Sequence, residues 1–363
     1  MNKNREICHF ADMQYQLDNT KGGLPILLGK TSSNDIRVVD LEKMPHLLIA
    51  GGTGSGKTML LQSILMSLTS QLTTKMLRVI LIDCKRIAFT AWKNLPHLLT
   101  DIVSETSDAI SLLNWCVGEM ESRYKILAQN PHHEFYKVVV IIDEFADLIT
   151  THKSDIENAV TRLSQKARQS GIHLVLATQR PTVDVITGQI RANILTRVAL
   201  AVSDKRESRI IIDESGASDL LGQGDMLFKS NDRQCERIHA PFVSDDFITE
   251  HVASLKSDQE YRISDESEND TVEAVLQNDS NLSEKSSDTV VPINFDSYRK
   301  PDDSLFDAVV ALVKKTGTAS ASAIQSHFNI GYPRALKIMD AMQEKGIIGK
   351  RLYHNGPREV LSA

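Results

Sequence analysis

The residues with the clearest chemical potential are Gly51, Gly52, Thr53, Gly54, Ser55, Gly56, Lys57 and Thr58, which spell G-x-x-x-x-G-K-T. Glycines at these places let backbone N–H groups turn inward around phosphate oxygens, where a Cβ would block the approach. A following helix would add the positive end of its dipole. Lys57 would then reach the β- and γ-phosphates, and the Thr58 hydroxyl would bind Mg²⁺. A second group, Asp143-Glu144, closes an apolar run at residues 137–142. Asp143 is placed to hold Mg²⁺ through water, and Glu144 to orient and deprotonate an attacking water. An acidic pair after a strand is also a common helix N-cap, and a glycine-rich turn need hold no ligand. Their occurrence together, in this order, favours ATP binding and hydrolysis.

Gln179 ends a third apolar run and could sense the γ-phosphate. Arg168 and Arg162 follow the acidic pair. Either could be offered across a subunit interface to stabilise phosphoryl charge, and Arg168 is the preferred finger. Asp83 and Lys85 end another run and read as structural or coupling residues rather than catalytic ones.

These groups need a scaffold. Residues 46–50 read as a buried strand, and 59–68 as a helix with Leu60, Leu61, Ile64, Leu65 and Leu68 on one face. Apolar runs at 77–83, 137–144, 172–179 and 197–202 read as further strands. Helices are expected over 109–127 and about 154–170, the latter closed by Gly171. Strands alternating with helices through 45–202 predict an α/β fold with a parallel sheet. Hairpins are expected at 26–40 and 226–240, while residues 1–24 carry weak signals.

The chain has 363 residues and a net charge of −6. Between Ser257 and Arg299, eleven acidic residues face Arg262, Lys285 and Arg299, so the remainder is net +2. Residues 253–303 therefore read as an acidic flexible linker. The last 60 residues, 304–363, carry 8 basic and 4 acidic residues. Three helical patterns and a hairpin turn at Asn355-Gly356-Pro357 predict a winged helix-turn-helix. On its third helix Arg334, Lys337 and Asp340 share a face and could read base edges. Lys350, Arg351 and Arg358 on the wing are placed for phosphates. A winged module used for protein contacts is the other reading. Cys8, Cys84, Cys116 and Cys235 form no metal-ligand spacing and read as reduced thiols. No apolar run of membrane length and no signal-peptide core are seen, so a cytoplasmic location is expected.

Several longer stretches are similar to the FtsK/SpoIIIE family of double-stranded DNA translocases. They are residues 43–58, Pro96-His-Leu-Leu99, Glu119-Met-Glu-Ser-Arg-Tyr-Lys125, Asp143-Glu-Phe-Ala-Asp-Leu148, Gln165-Lys-Ala-Arg168, residues 171–188, and Leu220-Leu-Gly-Gln-Gly-Asp-Met-Leu227. Ile330-Gly-Tyr-Pro-Arg-Ala335 and His354-Asn-Gly-Pro-Arg-Glu-Val360 resemble the family's γ domain. The resemblance implies a RecA-like P-loop NTPase motor over 25–252 and a DNA-binding winged-helix γ domain over 304–363, preceded by a short segment at 1–24. It further implies ATP and Mg²⁺ as cofactors, a homo-hexameric ring around duplex DNA, and a site-specific recombinase as a possible partner. The family's membrane-spanning N-terminus and most of its α domain are not expected in this chain. Cys84 stands where the family usually has proline. Pro333 replaces a polar residue and Lys337 an arginine, so the tail is expected to read a different DNA word. A relative that moves another cargo, in conjugation or secretion, and an ATP-switched regulator remain alternatives.

Overall fold

The computed structural model describes residues 7–20, 22–230 and 234–269, then 309–310, 312–314, 318–320, 324, 327, 339, 342–343, 347–349 and 358–359. Side chains are described to residue 257 in the last helix of the first stretch, and not at 358–359. The chain divides into two units between Phe295 and Asp296.

The first unit is built on a nine-stranded sheet. Its strands are β1 (Pro25–Thr31), β2 (Ile36–Asp40), β3 (His46–Ala50), β4 (Leu77–Ile82), β5 (Lys137–Ile142), β6 (Ile172–Thr178), β7 (Thr196–Leu200), β8 (Asp225–Ser230) and β9 (Glu236–His239). The order is β2-β1-β9-β8-β7-β3-β6-β5-β4. The five strands from β7 to β4 are parallel. The remaining pairings, from β7–β8 to β1–β2, are antiparallel. The five strands within 45–202 are thus all parallel, as their alternation with helices implied, and the antiparallel strands that make the sheet mixed come from the two hairpins. Both hairpins form where expected, and their strands extend the parallel half rather than standing apart from it.

The helices are α1 (Lys57–Gln71), α2 (Thr106–Gln129), α3 (Phe145–Thr151), α4 (Lys153–Lys166), α5 (Gly188–Asn193), α6 (Lys205–Ile212) and α7 (Asp245–Asn269). Strand alternation assigns the core to two faces. Leu47 and Ile49 of β3 pack with Leu60, Leu61 and Ile64 of α1. Leu48 and Ala50 pack on the other side with Leu112 of α2 and Leu163 of α4. A strand covered on both faces must be apolar throughout, which is why β3 reads as a continuous run. Each such leucine contributes about 2 kcal/mol on burial.

Helix α1 is held by more than apolar contact. Ser63 Oγ donates to the Leu27 carbonyl at 2.7 Å. The Leu27 N–H donates to Ser67 Oγ at 3.0 Å. These bonds engage β1 where its register with β2 shifts between Leu27 and Gly29. They fix α1, and hence the glycine loop at its start, to the antiparallel half of the sheet.

Three expectations need correction. The helix expected over 154–170 starts at Lys153 but stops at Lys166, and a short helix that was not expected, α3, precedes it across His152. Gly171 does take a left-handed conformation, φ 70°, and the Ile172 N–H reaches the Ala167 carbonyl at 3.2 Å. Helix α7 runs to Asn269, through the first part of the segment read as linker. In the segment read as weak, residues 7–20 are ordered into two 3₁₀ turns, where Phe10, Met13 and Leu17 are buried completely.

In the second unit, Val309, Val313, Ala319, Ile324, Met339, Met342 and Ile348 form a small core. Thr318–Ala319 pairs antiparallel with Arg358–Glu359. Arg334, Lys337, Asp340, Lys350 and Arg351, and the turn at Asn355-Gly356-Pro357, lie outside the described residues. Arg358 is placed by its backbone alone, opposite Ala319.

Candidate functional site

The carboxyl ends of the five parallel strands share one edge, because register pairs Ala50 with Thr178 and Ala199, and Ile142 with Leu176 and Ile82. Strand β6 lies between β3 and β5. The residues that leave these strands therefore converge, with Thr178 and Gln179 between the glycine loop and the acidic pair.

The loop itself is anchored on both sides. The Gly51 N–H donates to the Thr178 carbonyl at 3.2 Å, and the Gly52 N–H to the Ala201 carbonyl at 2.9 Å. A third contact comes from the turn before β8. There the Gly224 N–H donates to the Ser55 carbonyl at 2.8 Å. Gly56 begins α1 with φ 102°, and a Cβ on it would sit 2.3 Å from the Gly224 nitrogen. Only glycine fits there. A Cβ on Gly54 would instead meet nothing within 4 Å, so that glycine faces open space. Ser55 Oγ, on a residue 3% exposed, has no hydrogen-bond partner. An orphaned hydroxyl beside open glycine backbone fits an incoming phosphate oxygen.

Lys57 is buried, and its Nζ lies 2.7 Å from Asp143 Oδ1. It also donates to the Asp143 carbonyl. Glu144 is held by three neighbours. Thr178 Oγ1 donates to its Oε1 at 2.6 Å, the Gln179 N–H reaches both oxygens at 3.1 and 3.2 Å, and Lys85 Nζ lies 3.0 Å from Oε2. Burial alone would raise the Glu144 pKa. The donors from Thr178, Lys85 and Gln179, with the Lys57 charge, outweigh it and hold the carboxyl below its ordinary range. The group is a carboxylate at neutral pH. Gln179 receives the Thr53 hydroxyl on its Oε1 at 3.0 Å, which links the sensor position to the loop.

Lys85 is positioned by Asp83. Asp83 Oδ1 accepts from the Lys85 N–H at 3.1 Å, and Oδ2 from Ala88 and Phe89 at 2.8 and 3.3 Å. The structure thus gives Lys85 a direct contact with Glu144 that spacing in the sequence does not reveal. Thr178 and Gly224 were also missed. The signals available were a hydroxyl beside Gln179 and the doubled glycines of Leu220–Asp225. Arg168 lies just before β6, exposed at the edge opposite Thr178, and does not meet this chain's own site. Arg162 pairs with Glu121.

A cavity of about 510 Å³ opens over the loop, lined by Gly52, Gly54, Gly56, Lys57, Thr58 and Gln179 among others. The oxygens of Thr58 and Asp143 suit a hard cation that arrives with phosphates.

Residues 11–135 and 128–183 match the FtsK/SpoIIIE family, and residues 300–363 match the Ftsk gamma domain. The DNA translocase FtsK of Haemophilus influenzae is 38% identical over 95% of this chain and 69% of its own length. The chain belongs to the FtsK/SpoIIIE family. A second member, DNA translocase FtsK of Bradyrhizobium diazoefficiens, is 37% identical over 94% of this chain, which spans 46% of that protein. Among solved structures, the pCW3 conjugation coupling protein TcpA, determined with ATPγS, aligns at a TM-score of 0.58 and 28% identity, covering 65% of this chain and 72% of that one. The type VII secretion ATPase EccC of Thermomonospora curvata shares the fold at a TM-score of 0.59 and 20% identity, over 69% of this chain and 34% of its own. Among FtsK/SpoIIIE members the present chain thus carries both a motor region and a γ region. No helix among the described residues is long and apolar enough to cross a membrane.

Proposed function

We propose that this chain is an ATP-dependent double-stranded DNA translocase that works as a homo-hexameric ring. The glycine loop holds the phosphates of ATP. Thr58 and Asp143 hold Mg²⁺, which supplies charge neutralisation at the transferring phosphoryl group. Binding of the phosphates draws Lys57 away from Asp143. Glu144 orients the attacking water and accepts its proton, and Gln179 reports phosphate occupancy to the loop through Thr53. Arg168, at the far edge of the sheet, is offered to a neighbouring subunit's site. The C-terminal module binds oriented DNA sequence through Arg334, Lys337 and Asp340, with Lys350, Arg351 and Arg358 on phosphates. A site-specific recombinase is a further partner, and the chain acts on the cytoplasmic side.

The observation that carries this reading is the pairing of the Lys57–Asp143–Glu144 site with a γ-domain match in one chain. The likeness to TcpA supports a conjugative-coupling alternative, and the match over 300–363 favours the first. The test is steady-state ATP hydrolysis with and without duplex DNA over a range of salt. Duplex DNA is expected to raise the rate, and Lys57→Ala to abolish it. A rate indifferent to DNA would sink the proposal.

A further inference from the structure

Helix α1 makes a second buried polar contact, away from the glycine loop. Gln62 follows Lys57 by five residues, about 7.5 Å along the helix axis. It is buried, and apart from Lys57 it is the longest polar side chain buried on α1. Both ends of its amide are engaged. Nε2 donates to the Ala88 carbonyl at 2.7 Å, and Oε1 accepts from the Trp92 indole N–H. Trp92 is completely buried in the 3₁₀ turn Thr90–Trp92. The His251 ring of α7 meets it edge-on, centroids 6.4 Å apart. Ala88 belongs to the loop that leaves β4 and carries Lys85. Within that loop the buried Asp83 carboxylate gathers the N–H groups of Lys85, Ala88 and Phe89. Between these two anchors Arg86 takes φ 59°, a left-handed conformation that residues with a Cβ rarely adopt. So held, the loop brings Lys85 Nζ to 3.0 Å from Glu144 Oε2.

We propose that Gln62 is a positioning residue for ATP hydrolysis: it brackets the 83–89 loop to α1 and so keeps Lys85 on Glu144. The inference rests on the reading of Glu144 as the group that orients water, and adds what fixes that group from outside the site. Three observations carry it. The first is the choice of side chain. An apolar residue at 62 would fill the same space, whereas a buried amide costs free energy unless its polar ends are bonded. The second is where the bonds go. Neither ends on α1 itself; one reaches the loop and the other the turn that follows it. The third is the backbone of Arg86, which lies between Asp83 and Ala88 and keeps its uncommon conformation only while both ends are held. Helix α1 thereby carries two functions. Its first turn presents Lys57 and Thr58 to the phosphates, and the turn after it sets the loop that steadies Glu144.

The test uses the full chain, with kcat for ATP measured in the presence of duplex DNA and ATPγS affinity measured by calorimetry with Mg²⁺. Gln62→Met keeps the length of the side chain and removes both bonds. It is expected to lower kcat about tenfold and to leave ATPγS affinity unchanged, since the phosphate contacts stay. Combined with Lys85→Met it is expected to add no further loss, because both changes remove the same contact. Trp92→Phe keeps a ring in the core and withdraws only the indole donor. It is expected to lower kcat by a smaller factor, and it carries the test if Gln62→Met does not fold. A parental kcat in the Gln62 and Trp92 variants overturns the bracket. Equal loss of kcat and ATPγS affinity overturns it too, because Gln62 would then only brace the glycine-loop helix. So would losses that multiply in the double variant, or a parental kcat in Lys85→Met, since Gln62 would not act through Lys85. Glu144→Gln separates the two readings. If it left the parent's rate unchanged, the water-orienting role would fall, and the bracket with it. If it slowed hydrolysis while Gln62→Met did not, the bracket alone would fall.

Discussion

Lys57 and Asp143 are 86 residues apart in the chain, and each is the other's buried counter-ion, Nζ to Oδ1 2.7 Å. Side-chain exposure is 3% for the lysine and 7% for the aspartate, so water screens the pair poorly. ATP and Mg²⁺ would separate them by giving each a new partner of the opposite sign. Without nucleotide, removing one partner strands the other. Lys57→Ala is expected to destabilise the motor by about 3 kcal/mol in urea unfolding. A double variant, Lys57→Met with Asp143→Leu, is expected to recover most of that loss. Equal urea midpoints for parent and Lys57→Ala would show that the pair contributes nothing.

Glu144 gives a pH prediction. Its carboxyl is held below the ordinary range, so the proposed general base stays ionised on the acidic side of neutrality. Glu144→Gln is expected to retain ATP binding and to slow hydrolysis by about 10²–10⁴-fold. Lys85→Met removes a donor that favours the carboxylate. The Glu144 pKa then moves up, and the acid limb of kcat moves to higher pH, with nucleotide affinity unchanged. Superimposable kcat profiles for parent and Lys85→Met would show that Lys85 does not act through Glu144.

Two buried histidines contribute to the acid limit of stability. Desolvation, with His173 nearby, lowers the His46 pKa to about 3. Desolvation, with the Lys137 charge, lowers His173 to about 4 despite its bond to the Pro45 carbonyl. The unfolded chain takes up these protons near pH 6.5, and the native chain resists until about pH 4. Stability from this source is therefore complete above about pH 6.5 and is lost as pH falls toward 4, by about 3 kcal/mol for His173. Urea midpoints between pH 7.5 and 4.5 would record the fall. His173→Gln is expected to flatten it, and an unchanged slope would contradict the assignment.

The tail is expected to make a separable contribution. Deleting residues 300–363 is expected to preserve DNA-stimulated ATP hydrolysis and to abolish preference for an oriented DNA sequence in a translocation assay. Loss of all ATPase activity would mean that the γ region is part of the motor.

Local signals carried much of this fold. The run at 46–50 is β3 residue for residue, since a strand buried on both faces leaves an unbroken apolar signature. The glycine spacing and Asp143-Glu144 were legible because each is a short local pattern. What the chain hid lies in long-range contact. Thr178 and Lys85 meet Glu144 across 34 and 59 residues, and no spacing rule joins them. Helix α7 was taken for linker because charge and serine content masked its length. The N-terminal strap was missed although Phe10, Met13 and Leu17 sit three and four apart, a pattern too short to stand out.

The turn before β8 joins the glycine loop to the N-terminal segment. Ser55 receives the Gly224 N–H, the Gly224 carbonyl receives the Ala240 N–H at 2.8 Å, and two residues on Phe242 bonds Cys8. This run of backbone bonds links loop to segment as one fixed jaw. Facing it are Glu144, Gln179 and Lys85, held mostly by side-chain contacts. If the chain works as the proposed translocase, nucleotide turnover is expected to move the side that carries Lys85 more than the side tied by backbone bonds.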